Sequence, residues 1–170
     1  MAMALLLLIL WVLYMARLTI ELIGKKKVVG ILSALTARVK NLKPAFKDVA
    51  DNFREVEKLT FKAGGRPSHW KALSPVYERW KASHHPGKPI MILTGNLKDS
   101  LISTGGNHIE KIRRQSLTIG TKDPKGDWHQ HGRGNLPVRK VISPKPSDIT
   151  EWVGIIRSYI VEKLGLRRTN

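Results

Sequence analysis

The histidines of this chain are the residues whose type and spacing could support metal binding or hydrolysis. His129 and His131 lie two residues apart, so their side chains would share one face of an extended segment, where Asp127 could orient either imidazole ring. A stable metal site needs a third and usually a fourth protein ligand. The other candidate ligands are distant in the sequence: His69, His84 and His85. A metal-dependent hydrolase is therefore a hypothesis that requires the fold to bring these side chains together.

Two further segments contain the residue types of reactive loops, but neither has a complete pattern. Ser74 has no evident His and acid arrangement to activate it as a nucleophile, so we interpret it as a turn or cap residue. Residues 93–97 (LTGNL) have one Gly and no following Gly-Lys-Thr, which argues against a phosphate-binding loop. Thr94 or Asn96 can instead accept backbone hydrogen bonds at the start of a helix. We predict no catalytic residue and no cofactor.

Composition bounds the class of protein. A chain of 170 residues with 42% hydrophobic content can bury one core, so we predict one domain. Its 30 basic and 13 acidic residues give a net charge of +17, which attracts nucleic acid, an anionic membrane or an acidic protein surface. There is no cysteine, so disulfides and thiolate metal sites are excluded. A reducing cytoplasm suits this chain.

The apolar run over residues 1–15 (MAMALLLLILWVLYM) matches no targeting signal well. It meets Arg17 before reaching the length of about twenty apolar residues that a spanning helix needs. A signal peptide would carry Lys or Arg before its apolar stretch, whereas here the first basic residue follows it. We treat residues 1–15 as an N-terminal extension, with Met15 as the biological start, and predict a single domain over residues 16–170 and no membrane partner. If the run is translated, neighbouring subunits or a membrane must bury it.

Hydrophobic periodicity predicts a strand and two helices in the first third of the chain. Residues 18–22 alternate apolar with polar side chains, which is typical of a half-buried strand, and Gly24 ends it. Apolar residues then recur at helical spacing over residues 28–42, and Pro44 marks the start of a second helix. The predicted apolar stripe of the second helix consists of Phe46, Val49, Ala50, Phe53 and Val56.

Residues 63–89 are interrupted by glycines and prolines, which predicts a long loop with a short helix over residues 75–82. Long ordered loops in compact domains commonly serve binding. Two interpretations are open for the large apolar side chains of this loop: they pin the loop to its own core, or they are anchors that a neighbouring subunit buries. These side chains are Trp70, Leu73, Tyr77 and Trp80.

Two strands and a final helix are predicted in the second half. The strands cover residues 108–113 and 116–120, and the polar run 121–127 predicts a loop after them. In the last helix Asp148 is the predicted N-terminal cap, with Glu151 three residues later. Apolar residues repeat at helical spacing after it, up to Leu164 and Gly165. Together these elements predict an α+β fold in which helices pack on an antiparallel sheet.

Four segments, taken in order, resemble a known family. They are residues 70–80 (WKALSPVYERW), 92–100 (ILTGNLKDS), 117–120 (LTIG) and 128–139 (WHQHGRGNLPVR). Their order and spacing resemble the phage virion morphogenesis family, the Mu-like tail completion proteins. The resemblance covers roughly residues 17–164, and no single segment would carry it alone.

The resemblance implies a structural protein of the neck or tail of a tailed bacteriophage. Its copies would form a ring, hexameric by analogy, that completes or terminates the tail and joins it to the head. The implied partners are further copies of the chain, the tail tube protein and a head-tail connector or stopper protein, with DNA passing through the channel as a further contact. No enzyme is implied. The chain departs from the family pattern at residues 126–128, before His-Gln, and at residues 140–148, so the geometry of that loop is open.

We predict that contacts with other subunits or partners use nine residues of the motif segments. They are Trp70, Leu73, Pro75, Tyr77, Trp80, Trp128, His129, Gln130 and Arg139. For the polar members near His129 the alternative is that they satisfy backbone groups in a tight corner, where Gly132 allows the turn. Two functions from other classes compete with a structural role: a basic nucleic-acid-binding module, which would explain the net charge of +17, and the metal-dependent hydrolase.

Overall fold

The computed structural model describes residues 25–161 of the chain. The described part contains six helices and one antiparallel pair of strands, which agrees with the predicted α+β class. In chain order the elements are α1 (Lys25–Lys40), α2 (Lys43–Ala63), α3 (Pro75–His84), α4 (Asn96–Ile102), β1 (His108–Ile112), β2 (Leu117–Thr121), α5 (Pro124–His131) and α6 (Pro146–Val161).

The chain divides between Ser33 and Ala34, within helix α1, into two compact units. In the first unit, the described residues belong to the first half of α1 and leave Val28 and Val29 exposed. The second unit contains all the other elements and the core. The predicted helix over residues 28–42 is confirmed. The predicted strand over residues 18–22 and the apolar run 1–15 lie outside the described residues. Within residues 25–161, no helix combines the length and the apolar character that crossing a membrane requires.

Helix α2 is the central element of the second unit, and its predicted apolar stripe is buried as expected. The helix ends at Gly64, which caps it with a φ of 69°, a left-handed conformation that favours glycine. The N–H groups of Gly64 and Gly65 donate to the carbonyls of Phe61 and Thr60. Helix α4 packs on α2 through Leu97 and Leu101. The core cluster consists of Phe53, Phe61, Trp70, Leu97, Leu101 and Val141.

The two strands form a hairpin close to the one predicted. The register pairs His108 with Thr121 at one end and Ile112 with Leu117 at the other. The Arg113 N–H donates to the Ser116 carbonyl at 2.8 Å and closes the turn. This small sheet lies against α2 and α4. The prediction of helices on an antiparallel sheet is thus confirmed for a sheet of two strands within residues 25–161.

The prediction of a loop over residues 121–127 is wrong for most of that segment. Thr121 belongs to β2, and helix α5 begins at Pro124. The Asp123 carboxylate accepts a hydrogen bond from the Lys125 N–H at 3.0 Å, and proline at the first helical position has no N–H that would be left unpaired. Because this cap and proline sit in a polar run, they resemble turn residues in the sequence.

The last helix exists as predicted, but it begins earlier. Pro146 is its first residue, so Asp148 is not the cap; it lies inside the first turn and accepts a hydrogen bond from the Lys145 N–H at 2.8 Å. It also pairs with Arg66 at 3.1 Å. Glu151 accepts a hydrogen bond from the Asn52 side chain at 2.8 Å, so it ties α6 to α2 instead of completing a capping box. The predicted end of this helix at Leu164 and Gly165 lies outside the described residues.

Glu57 is an acidic side chain inside the core face of α2. It is only 1% exposed, and its Oε2 atom has no hydrogen bond partner among the described residues. Burial raises the pKa of Glu57 to about 8; Arg66 acts against this shift and Asp148 adds to it. The side chain is therefore mostly protonated at neutral pH, which avoids burying a full charge.

The raised pKa predicts that stability falls as pH rises. The folded chain holds the Glu57 proton up to about pH 8, whereas the unfolded chain releases it near 4.5. Between these values the wild type should lose about 1.4 kcal/mol per pH unit relative to Glu57→Gln, whose amide does not titrate. Urea unfolding of both chains at several pH values measures this difference. Parallel stability profiles for the two chains would contradict the prediction.

Candidate functional site

Three of the four motif segments contribute residues to one open cleft of about 680 Å³ in the second unit, and residues 117–120 do not line it. We call it the motif cleft. Its walls come from residues 72–74, before and at the start of α3, from residues 91–97, before and at the start of α4, and from residues 135–137, after α5. Six larger side chains complete the lining: Tyr77, Lys81, Lys125, Trp128, His129 and Arg139. Segments far apart in the sequence therefore form one surface.

Ser74 positions the first wall. Its hydroxyl accepts a hydrogen bond from the Tyr77 N–H at 3.4 Å, and Pro75 follows at the first position of α3. The interpretation of Ser74 as a cap residue is confirmed. Helix α3 then places Tyr77 in the lining of the motif cleft. The Tyr77 ring also stacks on Trp80, which lies outside the cleft, with centroids 5.4 Å apart.

The second wall depends on a tight turn into α4. Gly95 precedes the helix with a φ of 99°, a left-handed conformation that favours glycine. The Thr94 hydroxyl accepts the Asn96 N–H at 3.5 Å, a long contact that agrees with the role predicted for this segment. Leu97 continues from the cleft lining into the core, where it is buried. The LTGNL segment is thus a structural turn whose outer surface faces the cleft.

Gln130 holds the segment that follows α5. Its Oε1 atom accepts hydrogen bonds from the N–H groups of Val141 and Ile142 at 2.9 and 3.1 Å, and its Nε2 atom donates to the Ile142 carbonyl at 2.9 Å. Gly132 ends α5 with a φ of 76°, and a side chain there would meet Val138 at 2.9 Å. The predicted role of this corner, polar groups pairing with backbone around a glycine turn, is confirmed for Gln130 and Gly132.

Arg139 connects two walls of the motif cleft. Its guanidinium donates to the carbonyls of Lys71 and Ala72 at 2.7 and 2.8 Å, and its own N–H donates to the His129 carbonyl at 2.8 Å. Only 5% of the residue is exposed. Without this side chain, the wall at residues 72–74 would lose its hydrogen bonds to the segment that follows α5.

The aromatic residues of the long loop differ in burial. Trp70 is buried against Phe61 with ring centroids 5.3 Å apart, and its indole N–H donates to the Lys140 carbonyl at 2.7 Å. It therefore pins the loop to the core. Tyr77 and Trp80 are 40% and 41% exposed, so they are available to a neighbour.

The motif cleft carries positive charge that no carboxylate in its lining balances. Lys81 donates to the Pro89 carbonyl and Arg139 donates only to carbonyls, while Lys125 is exposed. Burial lowers the pKa of both Lys81 and Arg139. The pKa of His129 is lowered by burial first, and then by Arg139 and Lys125, so its imidazole stays neutral at neutral pH. The His129 Nδ1 atom is buried without a partner among the described residues.

The structure does not gather the histidines into a metal site. Helix α5 replaces the extended segment expected around His129, so His131 lies on another side of the helix and pairs with Asp127 at 2.9 Å in solvent. His69 bonds to the Ala63 carbonyl, and His84 stacks on the Trp80 ring. In the described range, no three or more His, Asp or Glu side chains form a group able to hold a metal ion.

Of the nine predicted contact residues, the fold brings Leu73, Tyr77, Trp128, His129 and Arg139 together in the motif cleft. The remaining four do not line it: Trp70 and Gln130 support the walls from behind, and Pro75 and Trp80 lie on helix α3 outside the cleft. Sequence reasoning missed Lys81, Met91 and Leu136 as lining residues. Leu136 adjoins a motif proline, whereas no pattern in the sequence distinguishes Lys81.

Replacing Gln130 with alanine should destabilise the fold by about 1–3 kcal/mol, because the backbone N–H groups of Val141, which is buried, and of Ile142 lose their acceptor. Denaturant unfolding measures the loss. Gln115→Ala is the matched control, since Gln115 is exposed in the hairpin turn, and it should change stability by less than about 0.5 kcal/mol. Equal effects of the two substitutions would contradict the assigned role.

The model of the phage virion morphogenesis family matches residues 23–160 of this chain. The match includes every residue of the motif cleft and all four motif segments, so it confirms the resemblance inferred from them. Comparisons with curated proteins and with solved structures found no match.

Proposed function

The chain belongs to the phage virion morphogenesis family, and from this premise we propose that it is a structural subunit that completes the phage tail. Its copies form a closed ring, hexameric by analogy with similar proteins. The ring docks on the last layer of tail tube subunits, stops growth of the tube and offers a surface to the head-tail connector or stopper protein. The work is mechanical, and no bond is made or broken.

The observation that carries this proposal is the lining of the motif cleft. Side chains from the family motifs converge there on an open, largely apolar surface with cations on its walls. Such a surface suits a protein partner, because apolar and aromatic groups provide most of the binding energy and charge sets orientation and association rate. The Ser74 hydroxyl accepts from the Tyr77 N–H, and the His129 Nδ1 atom has no partner among the described residues, so neither side chain belongs to a nucleophile and base pair there. The geometry therefore favours docking over catalysis.

Helix α3 supplies a second surface for docking. Val76, Tyr77 and Trp80 are 71%, 40% and 41% exposed, an unusual concentration of large apolar side chains on a short helix. The Tyr77 ring also reaches the motif cleft, so the two surfaces are continuous. We assign α3 to contacts with neighbouring subunits or with the tail tube.

One observation favours DNA as an additional contact. The exposed rings of Tyr77 and Trp80 are stacked, and His84 stacks on Trp80 with centroids 4.9 Å apart. Aromatic rings on a chain of net charge +17 could bind single-stranded nucleic acid, and basic side chains facing a channel could contact the phosphates of passing DNA. A nucleic-acid-binding role is therefore the second candidate function.

Removal of the gene tests the structural role. Phage particles assembled without this chain should show tails that are detached from heads or tail tubes of uncontrolled length, because the end of the tube stays open. Electron microscopy of the particles measures both defects, and supplying the intact gene in trans is the control. Normal, infectious particles that lack the protein would overturn the proposal.

Filter binding separates the DNA role from the structural one. If DNA is the main partner, the isolated chain should bind DNA tightly, and its affinity should fall by about a hundredfold or more between 50 and 200 mM salt. Trp80→Ala should then weaken binding to single strands by about tenfold, because each base stacked on an aromatic ring contributes roughly 1–3 kcal/mol. Weak binding, unchanged by the substitution, would favour the structural role alone.

A further inference from the structure

The motif cleft is lined by two buried cations that have no carboxylate partner. Lys81 and Arg139 are each 5% exposed. Lys81 donates to the Pro89 carbonyl at 2.5 Å, and Arg139 donates to the carbonyls of Lys71 and Ala72. Neither cation forms an ion pair with any described residue. The carbonyls provide hydrogen bonds but no opposite charge, and buried charges are normally paired with one.

The cations also retain donors that the described chain does not use. The hydrogen bonds of Arg139 involve its Nε and Nη2 atoms, which leaves its Nη1 atom without a partner in residues 25–161. The Lys81 ammonium carries three donors, of which the Pro89 carbonyl takes one. Lys125 of α5 lines the cleft and is exposed, and its ammonium has no partner in the same range. The cleft therefore offers charged donors to a bound group.

The acidic residues nearby do not neutralise this charge. No Asp or Glu lines the cleft. The helices that contribute to the cleft carry three exposed acidic residues outside the lining, namely Glu78 of α3, Asp99 of α4 and Asp127 of α5. Glu78 and Asp99 each have a basic neighbour in the sequence, and Asp127 pairs with His131 at 2.9 Å. The surroundings of the cleft are thus mixed in charge, whereas its lining is basic.

The other lining residues fit a segment of polypeptide. Leu93 and Trp128 are half-buried and Leu136 is 40% exposed, so an apolar side chain placed against them would leave water. The side-chain amides of Asn96 and Asn135 also line the cleft and have no hydrogen bond within the described residues. An amide both donates and accepts, which matches the N–H and C=O groups of a peptide main chain.

The size of the cleft is also that of a binding site. Its volume of about 680 Å³ lies within the range of roughly 300–1,000 Å³ that is typical of sites enclosing a ligand. A concave site of this size suits a short segment of chain, such as a tail or a loop, better than it suits a flat protein surface.

We propose that the motif cleft binds an acidic peptide segment of another virion protein. A carboxylate of that segment pairs with the cations of the lining, and an adjacent apolar side chain packs against Leu93, Leu136 and Trp128. The inference rests on the proposed function, because it names the chemistry of the partner on which the subunit docks.

Two other occupants fit the cleft less well. Single-stranded nucleic acid is bound by grooves whose cations follow the backbone, whereas the cations here lie around one largely apolar concavity. Another copy of this chain carries a net charge of +17, and basic side chains lie among the exposed acidic residues of its helix α2. Neither occupant supplies a carboxylate beside apolar groups as readily as an acidic partner does.

Selection from a random peptide library tests the proposal. The probe is an mRNA-displayed library of short peptides, and the target is the immobilised full-length chain. Enriched peptides should combine Asp or Glu with large apolar residues. Exchanging their acidic residues for the corresponding amides should weaken binding by at least about tenfold, because the charge opposite the buried cations is lost. Fluorescence anisotropy of labelled peptides measures the affinity, which should also fall as salt is raised.

Variants of the chain locate the binding site. Lys125→Glu should weaken binding of the enriched peptides by at least about tenfold, because it places a carboxylate in the cleft wall. Lys81→Met removes a buried charge but keeps an apolar stem, and it should weaken binding by a similar factor. Lys111→Glu is the matched control, since Lys111 is exposed on β1 outside the cleft, and it should bind like the wild type. Circular dichroism verifies each fold, and Lys125→Glu, at an exposed position, remains a test if Lys81→Met does not fold.

Several results would overturn this inference. A selection that enriches no acidic and apolar peptide is one, and equal affinity of such peptides for the wild type and Lys125→Glu is another. Displacement of the peptide by an equal concentration of a single-stranded oligonucleotide would assign the cleft to nucleic acid. Self-association that Lys125→Glu abolishes, in a chain that binds no peptide, would assign it to another copy.

The proposed function has a separate test in the particles assembled without this chain. Tail defects in those particles, together with a cleft that binds no acidic peptide, would leave the structural role standing and overturn this inference alone. Normal particles together with peptide binding would overturn the structural role, and with it the assignment of the partner to the virion.

Discussion

The motif cleft depends on hydrogen bonds between a few side chains and the main chain of irregular segments. Its walls at residues 72–74 and 135–137 have no helix or strand partner to pair their backbone groups, and unpaired buried groups are costly. Arg139, Gln130 and the Trp70 indole supply donors and acceptors to the segments that frame the cleft. The bonds of Arg139 and Trp70 join parts of the chain about seventy residues apart, whereas those of Gln130 span eleven or twelve residues. The arrangement ties the segments that frame the cleft to one another, and segments held in place in this way cost less ordering entropy when a partner binds.

Charge is the second constraint, and it acts between molecules. A net charge of +17 keeps copies apart and favours acidic partners, but it opposes a ring of identical subunits. No Asp or Glu lines the motif cleft, whose charged side chains are Lys81, Lys125 and Arg139. Along α2, by contrast, exposed acidic and basic side chains alternate. The basic walls of the cleft favour the approach of an acidic partner surface. Large apolar side chains, among them the rings of Tyr77 and Trp80 on α3, are partly exposed beside these charges.

Sequence patterns were most reliable where a long amphipathic segment dictates its own structure. Helix α2 and its buried stripe, helix α3 and the hairpin follow from periodicity and turn residues. Helix α5 was missed because it is short and polar, so its cap at Asp123 and its first proline look like a turn. Helix α6 begins three residues before the predicted position, because the Asp148 carboxylate accepts the Lys145 N–H from inside the first turn. Glu151 bonds to Asn52, a partner that is distant in the sequence.

The sequence by itself determined the family, the fold class and the residues that form the motif segments, because order, spacing and periodicity are local properties. It left two interpretations of the loop aromatics open, and only the tertiary structure showed which of these rings is buried in the core of its own chain. Trp70 is buried because Phe61 and the Lys140 carbonyl lie beside it. The rings that stack on Trp80 are those of Tyr77 and His84, which belong to its own helix, and Trp80 stays partly exposed. The sequence also left the cleft undetermined, because its basic side chains come from three separate segments of the chain. Burial and charge grouping depend on contacts between distant segments, and no local pattern encodes them.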